Sequence, residues 1–106
     1  MYVTITYLKL KSPFKLFVFL KHVYRIMAQL RESDSKGFRT SGILMNHYTV
    51  SLWPDEKAMK KFARKGAHQK AMKEVQSIAS EVKVYSYKSD KLPDWTKAKR
   101  LLNNNT

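Results

Sequence analysis

A chain of 106 residues forms one domain with a single core, and 43% hydrophobic and 12% aromatic residues exclude a disordered polypeptide. Cysteine is absent, which removes disulfide scaffolds, thiolate zinc sites and thiol nucleophiles together. The formal net charge of +13 would attract polyanions or an anionic membrane surface, but the cations are scattered as singles and pairs, the pattern of a solvated basic surface.

"YVTITYLKL", residues 2 to 10, alternates and is rich in β-branched residues, so it predicts a strand. Val3, Ile5 and Tyr7 make a greasy face; Tyr2, Thr4, Thr6 and Leu8 make a face rich in hydroxyls. Ser12 before Pro13 is a helix-start order, and no breaker follows until Ser33, which predicts a helix of about 20 residues. Its apolar residues wrap well over half the circumference near its start. Lys15, Lys21 and Arg25 interrupt this apolar run well short of the roughly 20 residues that a bilayer span requires. A strand precedes it, so it does not read as a targeting signal, and a cytoplasmic protein is expected.

"GFRTSGILMN" and "HYTVSLW" predict two antiparallel strands with a corner at Asn46-His47. Pro54 marks a second helix start, with Asp55 and Glu56 placing negative charge in its first turn. Met59, Phe62 and Ala63 mark one face of that helix. Gly66-Ala67-His68 then interrupts it, and the stripe resumes at Met72, Val75, Ile78 and Ala79. "EVKVYSYK", residues 81 to 88, predicts a fourth strand, and Pro93, Asp94 and Trp95 open a short basic terminal helix. Residues 1–102 are thus one domain, and 103–106 are expected to be a disordered tail.

The order strand, helix, strand, strand, helix, strand is the α+β, ferredoxin-like plan: an antiparallel sheet with both helices on one face and here an extra C-terminal helix. The second sheet face must meet water, nucleic acid or another sheet. RNA-binding sheets of this plan carry aromatics in two signature motifs on the central strands. "KGF" at Lys36 to Phe38 and "VTITYL" at residues 3 to 8 approach those motifs and then fail, since Arg39, Thr40, Ser41 and Ile43 replace the small and aromatic residues and Thr4 takes an aromatic position. A nucleic-acid module is therefore disfavoured, and a homodimer through the open sheet face, with a small organic ligand between sheet and helices, is expected.

The residues exclude several chemistries. Eight acids concentrated at helix starts and turns offer neither a Ser-His-acid set nor paired carboxylates, and three glycines build no phosphate or dinucleotide loop. His22, His47 and His68 match no local metal motif, so no metal site is expected. His22 and His47 read as surface residues. His68 is the candidate proton acceptor, because imidazole titrates near physiological pH and a helix break can aim it into a pocket; a capping or packing role is the alternative. Trp53 could stack on a ligand or be core, Thr4 and Thr6 could line a cavity or satisfy each other, and Phe62, like Phe38 and Met59, is core by default. Arg39 could bind an anionic substrate or be an exposed strand residue. Thr4, Thr6, Trp53, Phe62 and Arg39 form the candidate ligand-binding set.

The stretch "TVSLW", "PDEKAM", "FARKGAHQKAM", with the opening "YVTITYLKLKS" and the terminal "LPDWTKAKRLL", resembles the antibiotic-biosynthesis-monooxygenase-like group of dimeric α/β-barrel proteins. It looks closest to a branch described as spheroidene-monooxygenase-like or as a domain of unknown function. The resemblance spans nearly the whole chain and implies the fold; its chemical implication is weak, because the superfamily includes cofactor-free oxygenases, haem degraders, isomerases and proteins without known activity. The Asn, Trp and His that haem degraders of this superfamily use fall at Thr6, Phe62 and Met72, so that set is absent; no cofactor is expected, with haem as the alternative. Three readings follow: an oxygenase without cofactor, with His68 as base and Thr6 orienting the substrate; a non-catalytic small-molecule-binding or regulatory dimer; and, least favoured, a basic nucleic-acid module.

Overall fold

The computed structural model describes residues 1–105. Strand β1 (Tyr2–Leu10) is followed by a 3-10 turn at Pro13–Lys15 and helix α1 (Leu16–Arg31). Next come β2 (Gly37–Ile43), β3 (Asn46–Trp53), α2 (Glu56–Ala63), α3 (Gly66–Ile78), β4 (Ala79–Lys88) and α4 (Trp95–Asn105). The strands form one antiparallel sheet in the order β2-β3-β1-β4. This is the ferredoxin-like α+β architecture expected of the sequence.

Several boundaries move for local reasons. The hairpin corner is Leu44-Met45, not Asn46-His47: Leu44 takes a positive φ of 53°, and His47 Nε2 donates to Leu44 O, closing the turn from inside β3. The second predicted helix is two helices. Asp55 starts α2 by accepting a 2.7 Å hydrogen bond from Ala58 N, the N-cap that its charge and position foretell. Asp94 does the same for α4 through Lys97 N at 2.7 Å. That helix runs on through Asn103–Asn105, three residues expected to be disordered, and Asn105 Nδ2 donates back to Leu101 O. Thr106 lies outside the described residues.

The two sheet faces differ in kind. Register pairs Val3 with Leu52 and Tyr87, and Ile5 with Val50 and Tyr85, so the greasy residues of β1 share a face with those of its neighbours. On that face Val3, Ile5, Val50 and Leu52 form the buried core with Ala98 and Leu102 of α4. The face expected to be open to a second subunit is thus covered by the chain's own terminal helix. Two strands' worth of branched aliphatic surface would be costly to leave in water, and α4 presents a small residue and a leucine one turn apart to cover it. The opposite face, with Thr4, Thr6, Thr49, Ser51 and Ser86, lies under α2, whose Met59 accepts from Thr4 Oγ1 and, at 3.7 Å, from Ser86 Oγ. α1 and α3 pack against each other in the same layer.

Cutting Leu102 to Ala should lower the unfolding free energy by about 2–5 kcal/mol, because the cavity would open inside the tightest part of the core. Urea titration of the variant measures it; an unchanged midpoint would mean that α4 does not hold this face.

Candidate functional site

The helix break at residues 63 to 66 is the centre of the site. Breaking a helix orphans carbonyls on one side and N–H groups on the other. Gln29, on the inner side of α1, takes up both: its Nε2 donates to Phe62 O at 3.2 Å and Lys65 O at 2.8 Å, and its Oε1 accepts from His68 N at 2.9 Å. Gly66 turns the chain at φ 60°, and a Cβ there would come within 3.1 Å of Gln29 Oε1. Glycine is therefore required by backbone conformation and by close approach at once.

This joint fixes His68. Its Nδ1 lies 3.1 Å from Ala63 O, and a carbonyl can only accept, so Nδ1 carries the hydrogen and Nε2 keeps its lone pair. Burial holds the imidazole pKa below its ordinary value, and the Ala63 carbonyl offsets part of that shift. At neutral pH the ring is uncharged, with Nε2 as its basic atom. The His68 ring packs 5.1 Å from the Phe62 ring, which packs 5.1 Å from that of Trp53. Trp53 is buried and donates from Nε1 to Ser51 Oγ at 2.9 Å. Three aromatic rings thus run from the end of β3 across α2 to α3.

Thr4 meets this chain through Met59, one turn before Phe62, and its Oγ1 lies 3.0 Å from Ser86 Oγ. Thr6 is two residues further along the same face, opposite Thr49 and Val84. Val82 and Val84 share that face yet remain 38% and 51% exposed, so the helix layer does not close over β4. α2 thus leaves the sheet partly uncovered at the β4 edge, an open trough of hydroxyls and valines and not an enclosed cavity. Two other depressions, about 560 Å³ along the solvent side of α2 at Asp55 to Arg64 and about 160 Å³ between Tyr7, Tyr48 and Lys83, are lined by none of the candidate residues. The first is bounded by one exposed helix face only, so it encloses nothing.

The other candidates fare differently. Arg39 is paired with Val50, and alternation sends it to the α4 side of an edge strand, away from Thr4, Thr6 and Trp53, where it is exposed. It cannot join the site. His22 is not a surface residue: it is 6% exposed and donates from Nε2 to Glu74 Oε2 at 2.8 Å, tying α1 to α3. Its Nδ1 is buried without a hydrogen-bond partner among the described residues. His47 is half-buried with its ring 4.4 Å from Phe19. Gln29 and Ser86 were missed in sequence, and Met59 was read only as core; a Gln seven residues after His22 on the same helix was the available signal for the first. Among the described residues no group of three or more His, Asp or Glu could hold a metal.

On the α4 side, Tyr7 and Tyr48 occupy the two central strands, as bases would require of an RNA-binding sheet. Their rings instead pack on one another at 4.8 Å, and Lys99 of α4 lies over Tyr48.

The fold has known counterparts. Solved structures of candidate antibiotic biosynthesis monooxygenases from Deinococcus radiodurans and Nitrosomonas europaea superpose with TM-scores of 0.72 and 0.73. The fold is that of the antibiotic biosynthesis monooxygenases. The Deinococcus protein is 13% identical, over 89% of this chain and 97% of its own; the Nitrosomonas protein is 18% identical, over 86% and 100%. A cofactor-independent oxygenase from Streptomyces nogalater matches with a TM-score of 0.67 at 7% identity, over 85% of this chain and 93% of its own. No family model matches the chain, and no curated protein matches it in sequence.

Replacing Gln29 with Ala should cost about 1–3 kcal/mol in urea unfolding, because the His68 N–H loses its partner and the Phe62 and Lys65 carbonyls each lose one. Gly66→Ala should cost about 1–2 kcal/mol through its left-handed backbone. His68 gives a pH signature. Its folded pKa is depressed, so the stability it contributes is present above the ordinary imidazole pKa and is lost as pH falls through the folded value. Wild type should therefore lose more stability than His68→Gln on going from pH 8 to pH 5; parallel pH profiles would refute the buried, neutral imidazole.

Proposed function

We propose that the chain binds a small apolar or aromatic molecule in the trough between the sheet and α2, and oxygenates it without a bound cofactor. The observation that carries this reading is the His68 ring, neutral, fixed in one tautomer by Ala63 O, and packed at the end of the Trp53–Phe62 ring chain. Its Nε2 is suited to take a proton from a methylene acidified by a neighbouring carbonyl or arene. The resulting anion can combine with oxygen, and loss of water from the hydroperoxide leaves a carbonyl: a methylene plus O₂ gives a carbonyl plus water. The substrate supplies all four electrons, so the reaction needs no external reductant. Thr6 and Thr4 would orient polar atoms of the substrate, and Trp53 and Phe62 would supply the apolar wall that keeps water out. Met59 lies against Thr4 and would shape the same wall.

The unit of function in this reading is the homodimer that the family resemblance implies. Because α4 already covers the centre of the sheet, a second copy would have to use the margin beside it, where Tyr7, Tyr48 and Tyr85 are half-buried. A second reading, a binding or regulatory module without catalysis, is favoured by one fact. Every hydrogen bond seen at His68 serves the helix joint.

Oxygen consumption on aromatic ketones and hydroxylated polycyclic substrates separates the two. The expected result is turnover by wild type and at least a hundredfold loss in His68→Ala, with a smaller loss in Thr6→Val. Ligand binding with no oxygen uptake would leave the binding module standing, and turnover untouched by His68→Ala would remove His68 as the base. Light scattering should return about twice the 12.5 kDa chain mass.

A further inference from the structure

The outer face of α1 is unusual for a helix at a protein surface. Phe14, in the turn that leads into it, is 89% exposed, Phe17 82% and Tyr24 78%, and Val18 and Leu20 are exposed beside them. Helical spacing puts Phe17, Val18, Leu20 and Tyr24 on one side, opposite Phe19, His22, Ile26 and Leu30, which turn inward. These apolar side chains are not scattered surface residues; they form one contiguous stripe.

The charges on the same face have one sign. Lys21, Arg25 and Arg31 are exposed between and beyond the aromatics, and Lys11 precedes them. No acid occurs before Glu32 in the chain. Glu74, an acid that does contact α1, is tied to His22 on the inner side. An exposed aromatic stripe set among cations for which no ion pair is seen among the described residues, on a helix anchored from behind, is the amphipathic pattern that lies in the plane of a membrane interface.

We infer that α1 docks the protein on an anionic lipid bilayer, with Phe14, Phe17 and Tyr24 entering the headgroup boundary and Lys21, Arg25 and Arg31 meeting lipid phosphates. Other occupants satisfy only half of the pattern. A second copy paired through α1 would set Lys21 and the arginines of one helix against those of the other, an unscreened like-charge contact at the centre of the interface. A nucleic acid would take the cations and leave Val18 and Leu20 without partners. A bilayer surface takes both halves, and the helix is not asked to span it: among the described residues no helix is long and apolar enough to cross a membrane. The inference stands apart from the oxygenase reading, since α1 presents this face away from the trough and from His68.

Co-sedimentation with phosphatidylcholine vesicles, with and without about one third phosphatidylglycerol, tests it. Wild type should pellet with the anionic vesicles at moderate salt and bind neutral vesicles about tenfold or more weakly. Phe14→Ser/Phe17→Ser keeps the net charge and alters residues that face solvent, so it should fold normally by circular dichroism yet lose about tenfold or more in binding. Lys21→Glu/Arg25→Glu should lose binding to the anionic vesicles in the same way. Three results would overturn the inference: no pelleting of wild type with anionic vesicles; binding undiminished in the folded Phe14/Phe17 variant, which would reduce it to charge alone; or light scattering in which that variant abolishes self-association, which would assign the stripe to a second copy.

Discussion

The break between α2 and α3 is held by one side chain. A backbone that stops and restarts a helix within three residues must find partners for carbonyls on one side and N–H groups on the other. A primary amide can donate twice and accept, which is what the joint requires, and Gln29 is placed on α1 to do both. A carboxylate could not donate to the carbonyls, and an apolar side chain would leave the His68 N–H without this partner and the Phe62 and Lys65 carbonyls with only their longer backbone bonds. The consequence reaches the candidate site directly. Phe62 and His68 sit on opposite sides of the break, so their ring contact, and through Phe62 the contact with Trp53, exists only in the geometry that Gln29 and Gly66 impose.

Period-two alternation placed β1 and β4, and a content of branched and aromatic residues around a turn placed β2 and β3; both are local properties. The same is true of the helix starts at Asp55 and Asp94, whose capping chemistry is written within four residues. What stayed hidden was tertiary. Nothing local says that Asn103 to Asn105 continue a helix, since poor helix formers at a chain end read as frayed; packing of Ala98 and Leu102 on the sheet holds α4 in place ahead of them. His22 looked like a surface residue because histidine among lysines usually is one. Its burial follows from Glu74, fifty-two residues away, facing it across the α1–α3 contact. Arg39 was legible as a strand residue, but which face it takes depends on a register with β3 that its own sequence does not encode. The ring chain was half legible: His68 and Trp53 stood out singly, and only the fold brought Phe62 between them.

The two sides of the sheet divide stability from function. Beneath α4 the strands contribute valine, isoleucine and leucine, closely packed and dry, and this side can carry most of the apolar burial of a small domain. Beneath α2 they contribute threonine and serine, which hydrogen-bond one another and Met59 and leave Val82 and Val84 partly in water. A sheet built in this way does not need its helix layer to be tightly seated. Incomplete cover at the β4 edge leaves room for a ligand, while the α4 side carries the apolar burial.

The charge distribution follows the same division of labour. Of the eight acids, six have structural partners: Asp55 and Asp94 cap helices, Glu56 pairs with Lys60, Glu74 with His22, Glu81 with Lys83, and Asp90 with the N-terminal amine. The remaining two, Glu32 and Asp34, lie in the turn after α1. Acids are therefore placed where local structure uses them, and little negative charge is left to neutralise the twenty-one lysines and arginines. Surface ion pairs of this kind add little to stability, so the cation excess is not explained by folding. It is concentrated to most effect where no acid interrupts it, along the outer face of α1, and there it coincides with the largest exposed aromatic side chains of the molecule. Either feature alone would be an ordinary property of a basic protein; their coincidence on one helix face is what gives the net charge of the chain a direction.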